Sequence, residues 1–256
     1  MNENIRAPIY AGSFYPAQKA ELSKTINSFL KKTKAKKISG TVKAIIVPHA
    51  GYVYSGGVAA SAYKAITKSN PSKVILFGPS HQAYLEGAFS FSGTWQTPLS
   101  TTNLSSADLS IIKNDNEHSL EVQLPFLQTV LEKFDFTPII YGEISPEELA
   151  DIVSCEITNK SLLIASSDLS HYEDYKIAKQ IDSETIKSIL ELDLEKFLKV
   201  GDACGKLGLA ALIILAKKNN WKATLLQYKN SGDTAGDKKS VVGYASIVFV
   251  EKEKFK

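Results

Sequence analysis

The chain has 256 residues, 44% of them hydrophobic, enough to bury one large core, and no shift in composition marks a second unit, so a single domain over residues 1–256 is predicted. Thirty basic against 27 acidic residues leave a net charge of +3, a balance too even for a nucleic-acid surface. The longest apolar run, 207–216, is far short of the ~20 residues of a membrane span, and a content of only two cysteines excludes a disulfide framework and suits a reducing, cytoplasmic compartment.

Leu22, Ile26, Phe29 and Leu30 recur at helical spacing and predict a first amphipathic helix, after which the lysines of 31–37 read as a solvated element end and 34–40 as a connector. Residues 42–47 and 74–77 are nearly continuous aliphatic and β-branched runs, the pattern of strands covered on both faces. Leu120, Leu124, Leu127 and Leu131 predict one helix opening at Glu117 and His118 and running to Leu131. Ser145, then Pro146, Glu147 and Glu148, combine an N-cap, a first-turn proline and first-turn acids, so a helix starts there. Residues 161–165 predict a third central strand, and 207–216 an apolar helix. Two strands at 223–228 and 241–250, joined by the polar loop 230–240 with Gly232 and Gly236, close one side of the sheet before a last lysine cluster at 252–256. Alternating strands and helices predict an α/β fold, a three-layer α/β/α sandwich with a mixed central sheet.

The four histidines fall where the chain changes element. His49 follows the 42–47 run in Pro48-His49-Ala50-Gly51, His81 follows the 74–77 run in Gly78-Pro79-Ser80-His81, and His171 lies beyond the 161–165 run. Ends of parallel strands open into one crevice, where α/β proteins bind ligands. Gly51, Gly56, Gly57 and Gly78 flank the first two histidines, and the missing Cβ admits close approach to a bound group. Several imidazoles point to a metal, since a Ser-His-Asp hydrolase needs one. Cys204 precedes the 207–216 helix, where the macrodipole favours thiolate, so it is expected to outpace Cys155, read as a packing residue, toward thiol reagents. His118, at a helix mouth, reads as a proton carrier or a capping-region residue, and Asp168 with His171 as a pair facing one pocket.

Six separated motifs, RAPIYAGSFYP at 6–16, VPHAGYVY at 47–54, GPSH at 78–81, EHSLE at 117–121, SSDLSH at 166–171 and ACG at 203–205, resemble the Memo family in order and spacing. The resemblance implies the fold of the class III extradiol ring-cleaving dioxygenases, whose non-haem iron is held by two histidines and a glutamate. By that likeness His49 and His81 are metal ligands, and Cys204 stands where the dioxygenases have glutamate, a departure that argues against ordinary catechol cleavage. His171, Asp168 and His118 are the implied catalytic residues. Iron is the first expectation for the ion, with copper and zinc as alternatives. Prokaryotic relatives are named for an association with an AMMECR1-like and a radical SAM protein, which makes those two the expected partners. Three readings of function follow: a redox-active iron or copper oxidoreductase on an unknown small-molecule substrate; a non-catalytic binding module with Phe14, Tyr15, Tyr52 and Tyr54 as an aromatic rim for a peptide or partner protein; and a metal-assisted hydrolase.

Overall fold

The computed structural model describes residues 5–34, 36–112 and 116–252. In chain order the first elements are β1 (Ile5–Arg6), α1 (Lys19–Lys32), β2 (Thr41–Val47), α2 (Tyr52–Ile66), β3 (Lys73–Pro79), β4 (Ala88–Ser90), β5 (Thr94–Gln96) and β6 (Thr101–Asn103). The middle of the chain gives α3 (His118–Glu121), α4 (Leu124–Val130), β7 (Asp135–Tyr141), α5 (Pro146–Cys155) and β8 (Ser161–Ser166). The remainder gives β9 (His171–Glu173), α6 (Tyr175–Leu190), α7 (Leu194–Val200), α8 (Lys206–Lys218), β10 (Lys222–Asn230), α9 (Ser231–Thr234) and β11 (Val241–Glu251).

The main sheet runs β10-β11-β2-β8-β3-β7-β4, with β9 pairing the start of β11. Its centre is parallel, β2 with β8, β8 with β3 and β3 with β7, and its flanks are antiparallel, so the sheet is mixed as expected. Strand alternation sorts the core in two. Val74, Leu76, Leu162, Ile164 and Val248 pack on one face with α1, α2 and α4, while Ile75, Phe77, Leu163, Ala165 and Ile247 pack on the other with α5 and α8. Both faces are therefore buried, and the layers are helix, sheet, helix.

Several expectations hold in detail. Ser145 caps α5 by accepting from the Glu148 N–H at 3.1 Å, and the lysines of 31–37 that are described are mostly exposed. Of the cluster at 252–256 only Lys252 lies within the described residues, and it is exposed. Others are corrected. The helix predicted from Glu117 to Leu131 is two, because Pro125 lacks the N–H that would continue the first, and the chain restarts as α4. The loop 230–240 holds the one-turn α9, closed by a reciprocal capping box between Asn230 and Asp233. Cys155 ends α5 exposed and is not a packing residue.

The fourth parallel strand, β7, was not read in the sequence. Its Pro138 lies between the bridge at Phe136 and the β4 pairing that begins at Ile139, a stretch where a missing N–H disturbs no ladder on the β4 side. Among the described residues no helix is long and apolar enough to cross a membrane.

Candidate metal centre

The parallel centre of the sheet decides what meets above it. β2, β8 and β3 are neighbours in that order, so the segments leaving their C-terminal ends share one crevice. His49 lies two residues past β2, His81 two past β3, and Ser166, Ser167 and Asp168 end and follow β8. α3 brings His118 down beside them. A Cβ on Gly78 would lie 2.9 Å from Ser119 Oγ, so this glycine admits α3 against β3, and a Cβ on Gly56 would lie 2.6 Å from the Phe29 ring, so that glycine seats α1 on α2. Those two serve the packing of the chain, not the close approach of a ligand that was expected of them.

The rings of His49, His81 and His118 lie 5.1, 5.2 and 4.7 Å apart pairwise, and one ligand atom from each falls within 4.8 Å of the other two. Hydrogen bonds fix which nitrogen each ring can offer. Ser166 spends its only proton on the Ser119 carbonyl at 2.6 Å, so His49 Nδ1, 3.0 Å away, is the donor in their contact and Nε2 keeps its lone pair. His81 Nδ1 lies 2.9 Å from Glu117 Oε1, and an ionised carboxylate only accepts, so Nδ1 carries the proton and Nε2 again keeps its lone pair. His118 Nδ1 lies 3.0 Å from the same oxygen but is not aligned with it, and is a buried nitrogen without a hydrogen-bond partner.

Glu117 is fully buried. Burial alone would raise its pKa, but the two imidazoles and the His81 and Ser119 amides outweigh that and hold the carboxyl well below its usual range. His49 is driven the other way: burial first, then His81 and His118, keep it neutral. A buried carboxylate behind two imidazoles is the arrangement that orients metal-binding histidines. The donors present therefore fit a transition-metal ion.

Cys204 adjoins the cluster, its Sγ 3.1 Å from His49 Nε2 and accepting from the Asp168 N–H at 3.3 Å. It precedes Gly205, the N-cap of α8, as the sequence indicates. The expected acidic thiol is corrected, because burial and the nearby Asp168 carboxylate push its pKa up to about 12, against the hydrogen bonds that lower it. The expected labelling order therefore reverses. In metal-free protein Cys155, exposed at the end of α5, should react with a maleimide well before the half-buried Cys204, and mass spectrometry showing Cys204 modified first would contradict this order.

Asp168 is buried, with Oδ1 accepting the His49 N–H at 2.8 Å, and burial lifts its pKa to about 6 against that bond and the nearby histidines. It lines one cleft of about 470 Å³ with His49, His81, His118, His171 and Cys204, so all six residues singled out in the sequence converge. The cleft wall also takes Phe14, Tyr54, Tyr172 and Tyr244. Tyr15 and Tyr52, expected in the rim, are instead buried, their hydroxyls given to Glu121 Oε1 (2.6 Å) and the Val122 carbonyl (2.7 Å). Tyr172 sits at the lip with φ of 62°, a conformation rare for a bulky residue.

Two functional residues were not singled out from sequence. Glu117 had a signal, an acid immediately before His118. Glu121 had less. It is buried and gathers Arg6 Nη1, the Ile9 and Tyr10 amides and the Tyr15 hydroxyl, tying residues 6–15 to α3. That tie sets Phe14 against His118, ring centroids 4.9 Å apart.

The family model described as Memo-like protein matches residues 6–248. A MEMO1 family protein of Thermoplasma acidophilum is 38% identical, the match covering 96% of this chain and 98% of that protein. A MEMO1 family protein of Nitrosopumilus maritimus is also 38% identical over 96% of this chain and all of the relative. Among solved structures, an uncharacterized protein of Escherichia coli K12 superposes with a TM-score of 0.51, covering 81% of this chain and 99% of that one; at 8% identity the likeness is one of fold.

Proposed function

The chain belongs to the Memo family, and from that premise we propose that it is a metalloprotein whose ion is held by His49, His81 and His118 with Cys204 as adjoining sulfur ligand, acting as an oxidoreductase on a small organic substrate. The observation that carries this reading is the convergence of three imidazoles, two with Nε2 lone pairs preset by their Nδ1 hydrogen bonds. Imidazole suits iron, copper and zinc, and the sulfur softens the set. A bound iron or copper ion would supply electron transfer and a Lewis-acid position at the floor of the cleft.

The chain's own residues do the rest. Phe14, Tyr54, Tyr172 and Tyr244 offer aromatic walls on which a flat substrate packs and from which water is displaced. His171, half-buried at the start of β9, accepts or returns a proton at its imidazole. Asp168 fixes the His49 loop through the amide. The test is the metal content of untagged protein purified without oxygen. Stoichiometric iron or copper, cycling between oxidation states by electron paramagnetic resonance, supports the oxidoreductase; zinc alone sinks it while leaving the metal centre.

The thiol makes a separate prediction. His49 is already neutral, so its ligation releases no proton, whereas a thiol with a pKa near 12 must lose one to bind at neutral pH. Calorimetric titration with Zn²⁺ in buffers of different ionisation enthalpy should show a proton released by the wild type and retained in Cys204→Ser. Equal release by both proteins would remove Cys204 from the ligand set.

A further inference from the structure

The largest cavity among those described lies at the other end of β2. Thr41 and Val42 line it where that strand begins, whereas His49 follows its last residue, and seven strand residues separate the two by about 20 Å. It encloses about 680 Å³ between the chain leaving α1, the last turn of α2 and Leu226 of β10. Five lysines line it, Lys34, Lys36, Lys37, Lys64 and Lys68, and no Asp or Glu is among its lining residues. In a chain with 27 acids against 30 bases, five cations around one cavity without one carboxylate among its lining residues is a local excess of positive charge.

Two of these ammonium groups are fixed. Lys64 Nζ donates to the Leu30 and Thr33 carbonyls at 2.9 and 2.7 Å, and Lys36 Nζ to the Leu225 carbonyl at 2.8 Å. An ammonium has three N–H donors, so beyond these bonds Lys64 keeps one and Lys36 keeps two. Lys34, Lys37 and Lys68 are exposed, and among the described residues no ion pair involves them. Two hydrogen-bonded cations, three more without an ion pair among the described residues and a concave wall are the ingredients of a site for several negative charges at once.

We propose that this cavity binds a small polyphosphate, a pyrophosphate group or the di- or triphosphate of a nucleotide. A single phosphate leaves most of the lysines unneutralised. A long polyanion does not fit, because the cavity has small-molecule dimensions and the chain as a whole is nearly neutral. Ile38, Val42, Ala65 and Leu226 provide an apolar floor for whatever the phosphates carry.

Isothermal titration of the full chain with sodium pyrophosphate, and separately with ATP, at low salt is the test. One saturable site is expected, weakening as salt rises. Tighter binding of ATP identifies a nucleotide as the ligand, and equal binding identifies the phosphates alone. Lys34→Gln/Lys37→Gln/Lys68→Gln should weaken it by about tenfold or more, and the arginine triple variant should retain it. Lys64 is left intact so that α1 stays capped. His118→Ala should bind as the wild type does, which separates this site from the metal centre. No saturable site, a stoichiometry above one, an unaffected glutamine variant, or loss of binding in His118→Ala would each overturn the proposal.

Discussion

Replacing His118 with alanine is expected to lower metal affinity by more than about a hundredfold, since structural four-ligand sites gain roughly 10–16 kcal/mol, or about 3 kcal/mol per ligand. His49→Ala and His81→Ala should do the same, because the three imidazoles form one cluster and each offers a single ligand atom. Glu117→Gln touches no ion but loses the charge that orients His81 and lies beside His118, so a smaller fall of about 10–100-fold is expected. Cys155→Ala should change nothing. Anaerobic competition titrations with Fe(II) and Zn²⁺, with circular dichroism to confirm the fold, rank these variants. Wild-type affinity in His118→Ala would return the third ligand to Cys204, the set that the sequence motifs imply.

The second large effect is on stability. Glu121→Ala is expected to cost about 3 kcal/mol, because it removes the carboxylate paired with the partly buried Arg6 guanidinium and leaves two amides and a buried hydroxyl without this acceptor. At roughly 2–4 °C per kcal/mol for a chain of this length, the melting temperature should fall by about 10 °C. Glu121→Gln, which keeps an acceptor but not the charge, should fall between. Arg6 also lies 4.7 Å over the Trp95 ring, so tryptophan fluorescence should report the release of residues 6–15. A melting temperature within about 2 °C of wild type would show that Glu121 does not tie the segment down.

Much of this arrangement was legible because it is local. Continuous apolar runs marked β2, β3 and β8, and the histidines just past two of them marked the crevice, since parallel strands deliver their ends to one side. Ser145 and Pro146 announced α5 through chemistry confined to one turn. What was missed depends on distant partners. The break between α3 and α4 could be suspected from Pro125, but leucine spacing continues across it and masks the stop. Tyr15 and Tyr52 look like rim aromatics in their motifs, and only Glu121 and Val122, 106 and 70 residues away respectively, bury their hydroxyls. The thiol of Cys204 was misjudged for the same reason: a helix start is visible in sequence, whereas desolvation is a property of the folded neighbourhood.

The central claim, that the imidazole cluster holds a metal ion, is tested most directly by X-ray absorption at the iron edge on wild-type protein loaded anaerobically with Fe(II). The account predicts one tightly held ion per chain and a shell dominated by imidazole nitrogen with one sulfur, the sulfur vanishing in Cys204→Ser and the nitrogen count falling in His118→Ala. An ion lost on desalting, or a shell of oxygen atoms alone, would contradict it.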